Sequence, residues 1–189
     1  MGENIKIDWH GHNDRGLSLT LCLHAIEWGV NRVHGTCMGI GERVGNAPLD
    51  LILLNLKLLG VIQNNLTSLQ EYVATVSKAT NFPIPVNYPL FGKDAFRTAT
   101  GVHAAAIIKA KKRGDTWLSD RIYSSVPASE FGCEQKIEIG HYSGKSNVLH
   151  WLEQHHIHPN DDLVEKIFQS AKQGDHVLSD DEIFSIIKK

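Results

Sequence analysis

No run of apolar residues in this 189-residue chain reaches the roughly 18 that a membrane-spanning helix needs, so no transmembrane segment is expected. Cysteine is scarce. Cys22, Cys37 and Cys133 are the only three, no two form a CxxC pair, and the odd count argues against a disulfide framework or a Cys-rich zinc site. Neither sign of charge is in surplus: 19 Lys and Arg against 21 Asp and Glu leave a net charge of -2. That balance removes bulk attraction to nucleic acid or to a membrane surface, and neither is expected as a partner. Internal repeats and low-complexity tracts are absent. A chain that is 42% hydrophobic and 21% charged folds rather than staying disordered. Met1 to Lys6 is polar, so no signal peptide is expected and the reducing cytoplasm is the expected location.

Histidine, by contrast, is plentiful, with 11 residues. The first third of the chain reads as β-loop-α-β-loop-α, the repeat of a parallel α/β fold. Ile5 to Trp9 alternates like a strand, Leu17 to Trp28 reads as a buried helix ended by Gly29 and Asn31, Arg32 to Cys37 is a second strand, and Ala47 to Leu59 is an apolar helix after a Gly-rich loop. Ser68 and Glu71 form a capping pattern that opens a helix running to about Thr80. Pro83, Pro85 and Pro89 make the clearest internal break. The spacing predicts a helix over Ala95 to Lys112, strand and loop from Asp120 to Gly140, and helices over Asn147 to His155, Asp161 to Lys172 and Ser179 to Ile187. The last begins with a second capping box, Ser179 to Glu182. We divide the chain into residues 1–62, 63–92 and 93–189.

His10-Gly11-His12 is the sharpest local signal. Residues i and i+2 of an extended segment share a face about 7 Å apart, where two imidazoles can hold one divalent metal. Directly after a strand, they sit where parallel α/β folds place active sites. The plainer reading is a pair of loop histidines. Asn13 and Asp14 either orient the imidazoles or cap the next helix. Gly39 to Asn46 is too long by one residue for a dinucleotide fingerprint. It reads either as a loop that lets backbone approach a ligand, or as a tight turn with a Glu42–Arg43 pair and Asn46 as N-cap. Gly144-Lys145-Ser146 fails as a phosphate loop because Ile139 stands where glycine is required, leaving a turn and helix cap. His155, His156 and His158 read as a helix end rather than a metal tract. Cys22 reads as core. His24, His34, His150 and His176 receive no functional assignment.

Taken together, HGHNDRG at 10–16 and GIGERVGNAPL at 39–49 resemble the 2-isopropylmalate synthase and homocitrate synthase family, metal-dependent TIM-barrel acyltransferases. ATGVHAAAIIKA at 99–110, DRIYSSVPASEFG at 120–132 and IEIGHYSGKSNVLHWL at 137–152 resemble its later segments, in the same order. The resemblance implies the last two βα units of a TIM barrel at residues 1–62, a helical linker subdomain at 63–92 and an α+β C-terminal subdomain at 93–189. The Asp-Arg-Glu segment of the family's first strand has no counterpart. Two departures stand out: His103 is followed by Ala104-Ala105-Ala106 where isopropylmalate synthases have Gln-Asp-Gly, and the stretch from His103 to Tyr123 is longer than usual.

The implied chemistry is a Claisen-type condensation. Acetyl-CoA, the co-substrate, loses a methyl proton, its enolate attacks the ketone of a 2-oxo acid, and the thioester is hydrolysed. 2-Oxoisovalerate, on the path to leucine, is the first choice of acceptor; homocitrate or citramalate formation is the alternative. By resemblance, His10, His12 and Asn46 would be ligands of Mg²⁺, Mn²⁺ or Zn²⁺, Glu42 would contact substrate or water, and His103 and Tyr123 would serve acid–base steps. The resemblance also implies a homodimer, or association with the N-terminal half, and inactivity of the chain alone. A related lyase, or a non-catalytic assembly or regulatory partner, are the readings from other classes.

Overall fold

In the computed structural model residues 5–188 are described, and Met1 to Asn4 of the polar N-terminus lie outside that range. The chain forms two compact units, Met1–Gly92 with Glu130–Gly132, and Lys93–Ser129 with Cys133–Lys189.

The first unit is built on a parallel pair, β1 (Asp8–Trp9) and β2 (Arg32–Val33), in the register Asp8↔Arg32 and Trp9↔Val33. Both strands are shorter than the alternation predicts. Each has one partner, so only the facing residues are laddered, although Asn31 N–H still reaches the Ile7 carbonyl at 2.8 Å. Between them α1 (Ser18–Glu27) ends in a two-bond reversal, Gly29 to Ile26 and Val30 to Ala25, with Gly29 at φ +85°. That is the Schellman geometry, in which the left-handed turn suits a residue without a Cβ. The sequence predicts a buried helix, apolar around much of its circumference. Instead only Ser18 and Cys22 are buried, and Trp28 is 86% exposed, because α1 packs on β2 and α2 along one side alone. Cys22 is core as expected, beside Ala47 and Ile52.

After β2 the chain turns through a 3₁₀ segment, Cys37–Gly39, into the Gly-rich loop and α2 (Leu49–Leu58). α3 (Leu69–Thr80) packs Val73 against Cys37 and Met38. Its predicted capping box does not form. Ser68 sits at ψ 1°, not in the extended conformation a capping residue needs, and its hydroxyl makes no cap bond. Among the described residues no helix is long and apolar enough to cross a membrane.

The second unit holds β3 (Arg97–Thr98) paired in parallel with β4 (Lys136–Ile137), and helices α4 (Gly101–Lys112), α5 (Thr116–Arg121), α6 (Lys145–Gln154), α7 (Asp161–Gln173) and α8 (Asp180–Ile187). The helix expected from Ala95 begins only at Gly101, since Arg97 is drawn into the ladder and its guanidinium bonds Glu138 at 2.6 Å. The sequence pattern does not predict α5: its first residues carry no assignment in the sequence, and Asp120 and Arg121 fall in the stretch expected to be strand and loop. Val164, Ile167 and Ala171 of the predicted α7 stripe are buried with Trp151, Leu152 and Ile183. Gly144 precedes α6 as an extended N-cap, which is the turn-and-cap reading of Gly144-Lys145-Ser146. His155, at the α6 end, stacks on Trp151 with ring centroids 3.8 Å apart.

The Ser179–Glu182 capping box forms as read, and His176 extends it. The imidazole lies between Asp175 at 3.1 Å and Glu182 at 2.9 Å, which raises its pKa above the ordinary 6.5, Asp175 being the larger cause. Glu182 is pulled down from 4.5 to about 2, chiefly by the Ser179 N–H and then by His176. The signs are opposite. The His176 contribution is full below 6.5 and is lost as pH rises through its raised value; the Glu182 contribution is full above 4.5 and is lost as pH falls toward about 2. Exchange protection of the α8 first turn should therefore be greatest between these limits, and His176→Gln should remove the loss on the alkaline side. An unchanged alkaline loss in that variant would dismiss the assignment.

Candidate active site

Two loops of the first unit meet at the end of the β1–β2 pair. His10 to Gly16 leaves β1; Gly39 to Asn46 lies between β2 and α2. They are stitched by an antiparallel bridge between His12 and Asn46 and by the Asn13 N–H to the Gly45 carbonyl at 2.9 Å. The glycine between the histidines has a local reason: a Cβ at Gly11 would stand 2.5 Å from the Trp9 indole, which covers that position. The rings of His10 and His12 are 5.2 Å apart, edge to face. Asn46 is 9% exposed, held by its N–H to the Gly39 carbonyl at 2.8 Å. It is not the helix N-cap, a position taken by Pro48.

Asn13 is not the N-cap of α1, a position taken by Leu17, but its side chain ties the loop to the first residue of that helix. Its side-chain oxygen accepts the Ser18 N–H at 3.2 Å and the Ser18 hydroxyl at 2.9 Å. Asp14 pairs with Arg43 through two bonds of 3.2 and 3.3 Å, joining the two loops at the surface. That contact lowers the Asp14 pKa and raises that of Arg43. The expected Glu42–Arg43 pair is looser, at 4.0 Å, and Glu42 is exposed. No hydrogen bond or ion pair joins Glu42 to His10 or His12 among the described residues.

Among the described residues two buried side-chain polar atoms lack a partner, His12 Nδ1 and Thr36 Oγ1, and both belong to this region. A buried polar atom left unsatisfied is costly, about 1–3 kcal/mol, so His12 Nδ1 needs a partner from beyond these residues, a role open to a water or to a bound cation. By residue type, two imidazoles and an amide oxygen are a mixed N/O set of the kind that suits a divalent cation; here the rings of His10 and His12 lie together and Asn46 meets His12 through the backbone. Among the described residues no group of three or more His, Cys, Asp or Glu could hold a metal by itself. By chemistry alone His10, His12 and Asn46 are suited to be part of a coordination shell that further ligands complete.

His34 was passed over in sequence and stands beside His10, with rings 5.5 Å apart and its Nε2 3.9 Å from Asp8. The signal was available: His34 lies two residues past Arg32 as His10 lies two past Asp8, so a parallel register sets them side by side. In the second unit His103 and Tyr123 are brought together, stacked with centroids 4.0 Å apart. Tyr123 rides on the turn after α5. Asp120 secures the far end of that turn by accepting the Ala128 N–H at 2.9 Å, the Ser129 N–H at 3.1 Å and the Ser129 hydroxyl at 2.7 Å.

A family model described as HMGL-like matches residues 1–77. The chain is 36% identical to an (R)-citramalate synthase of Aquifex aeolicus over 184 residues, covering 92% of this chain and 33% of that protein. It is 31% identical to homocitrate synthase AksA of Methanopyrus kandleri over 171 residues, covering 89% and 41%. It is 33% identical to a homocitrate synthase of Saccharolobus islandicus over 172 residues, covering 90% and 35%. The chain thus spans between a third and about two fifths of the length of these relatives. With the two motif-bearing loops joined after parallel strands, and a largely helical second unit, the chain is similar to part of these citramalate and homocitrate synthases, and its first 77 residues match the HMGL-like family model.

Proposed function

We propose that the chain carries part of the active site of a synthase that condenses acetyl-CoA with a 2-oxo acid in a metal-dependent Claisen-type reaction. The observation that carries this reading is the His10–His12 ring pair, bridged through the backbone to Asn46, with a buried His12 nitrogen that has no partner among the described residues. The names of the matched relatives support the reaction class. When bound, a divalent cation (Mg²⁺, Mn²⁺ or Zn²⁺) would supply Lewis acidity to the keto group of the 2-oxo acid. His10, His12 and the Asn46 amide oxygen would hold it. Glu42, exposed on the same loop, is free to contact substrate or water. His103 and Tyr123 would carry protons in enolisation and thioester hydrolysis, work suited to an imidazole and a phenol held in contact. For the acceptor we retain 2-oxoisovalerate as the reference substrate and set homocitrate- and citramalate-type condensations beside it. The relatives carry those names, and Ala104 to Ala106 replace the Gln-Asp-Gly of isopropylmalate synthases. A cytoplasmic setting suits all three.

Titration with Mn²⁺ or Zn²⁺ tests the site. Losing residues that merely orient metal ligands costs about 10–100-fold in affinity, so changing both His10 and His12 to Ala should cost at least about 100-fold. Equal binding by the double variant would move the site elsewhere, with His155, His156 and His158 next to be changed.

As partners we propose a second copy of the chain or further barrel units of the same fold. Leu21 on α1, Trp28 just after it, and Leu58, Leu59 and Val61 at and beyond the end of α2 are exposed, and a two-strand parallel ladder has open edges. Light scattering coupled to gel filtration should show a dimer or larger species at micromolar concentration; a monodisperse monomer would remove self-association from the reading.

A further inference from the structure

Asp50 is fully buried in the first turn of α2, in a helix whose other buried residues are Leu51, Ile52 and Leu54. Its two oxygens serve different partners. Oδ1 accepts the Met38 N–H at 2.6 Å and Oδ2 accepts the Tyr88 hydroxyl at 2.6 Å. No cation pairs with it among the described residues. A buried carboxyl group without a countercharge is costly, so its retention calls for a purpose that an apolar residue would not meet. The start of α2 makes it tolerable, since the helix dipole favours negative charge there. Burial and the Asp50 bond push the Tyr88 pKa well up, so its hydroxyl stays a donor.

What Asp50 holds is the entrance to the Gly-rich loop. Met38 lies at φ 52°, ψ 18°, and Gly39 follows at φ 68°. A residue with a side chain keeps the left-handed conformation only where its surroundings impose it. Here the imposed turn aims the Gly39 carbonyl at the Asn46 N–H, 2.8 Å away, and Asn46 in turn bridges His12. We infer that Asp50 is a positioning residue for the His10–His12–Asn46 site: by clamping Met38 it sets the Gly39 carbonyl that receives Asn46, and through Asn46 it sets His12. Tyr88, 38 residues further along, closes the clamp from the segment after α3. The inference deepens the metal-site reading above and rests on it.

The test is Co²⁺ binding to the 189-residue chain, followed by visible absorption, together with amide exchange at Met38 and Asn46 in the metal-free protein. The variants are Asp50→Leu, Asp50→Asn and Tyr88→Phe. Asp50→Leu should weaken Co²⁺ binding about 10–100-fold, alter the absorption bands, and expose the Met38 and Asn46 amides. Asp50→Asn keeps an oxygen for the Met38 N–H and should recover most of the affinity, a rescue that filling the core alone would not produce. Tyr88→Phe should fall between them. Unchanged affinity and exchange in Asp50→Leu and Tyr88→Phe would overturn the inference. If Asp50→Leu does not fold, Tyr88→Phe decides: Asn46 exchange and affinity equal to the unmodified chain overturn it. If the unmodified chain binds no Co²⁺ through His10 and His12, the metal reading itself falls, and the exchange data separately report whether Asp50 holds the loop.

Discussion

Gly45→Ala should cost the first unit the metal affinity proposed for it while leaving α2 and α3 folded. Gly45 sits at φ +85°, where a residue with a Cβ loses about 1–2 kcal/mol from steric strain alone. A Cβ there would also run into the Gly39 carbonyl oxygen, the group that accepts the Asn46 N–H. The neighbour is backbone, so it cannot swing aside as a flexible side chain would. Relief requires the loop to open, which breaks the Gly39–Asn46 bond and the Asn13 bond to the Gly45 carbonyl together. His12 then loses the bridge to Asn46. An affinity loss of about 100-fold for Mn²⁺ or Zn²⁺ is expected, comparable to or above that for losing an orienting partner. Calorimetric titration measures it, and circular dichroism checks that the helices remain. Gly29→Ala is the control: it is also left-handed, at φ +85°, but nothing lies within 4 Å of its Cβ position, so it should lower stability without touching metal affinity. Equal affinity losses in the two variants would show that strain, not the collision, is responsible.

Asn147→Leu should unfold the second unit at room-temperature denaturant concentrations that leave the unmodified chain intact. Asn147 is fully buried on α6 and uses its whole amide. Its Nδ2 donates to the Glu138 carbonyl at 2.8 Å and to the Ala99 carbonyl at 3.2 Å, and its Oδ1 accepts the Gly144 N–H at 3.1 Å. One side chain therefore joins the ends of β3 and β4 to the start of α6. Ser143 bonds the same two carbonyls, at 2.6 and 3.2 Å, so they are not wholly orphaned when Asn147 is lost. At about 1–3 kcal/mol for each unsatisfied buried group, and with that partial cover, about 3 kcal/mol is expected. Against a typical domain stability of about 5–15 kcal/mol that is a large share. Urea unfolding followed by tryptophan fluorescence reads it, since Trp151 stands one helical turn further along α6. A shift below about 1 kcal/mol would mean that Ser143 alone holds the junction. Adding Ser143→Ala should then make the two losses more than additive, because the residues share acceptors.

The two capping boxes show how far local reading reaches. Ser179 with Glu182 and Ser68 with Glu71 look alike in sequence, yet only the first forms. Ser179 enters its helix from an extended backbone at ψ 158°, whereas Ser68 is caught in a turn begun at Leu66, whose carbonyl accepts the Leu69 N–H at 3.0 Å. Asn13 makes the same point at the site. Its chemistry allows either an imidazole partner or a cap; Leu17 takes the N-cap position, and the approach of Ser18 gives the Asn13 oxygen its partner.

The β-loop-α-β-loop-α order of the first unit, the α7 stripe, the Gly29 helix stop and the paired motifs around His10 and Gly39 were determined by the sequence alone. Each depends on contacts a few residues apart or on a period repeated along one element. What only the tertiary structure decided lies across longer separations. His34 reaches His10 through strand register. Arg97 is pulled out of a helical pattern by Glu138, 41 residues away. Asp50 finds Met38 and Tyr88 inside an apolar core. A buried polar side chain must find partners wherever the fold brings them, and no periodicity along the chain encodes which ones these will be.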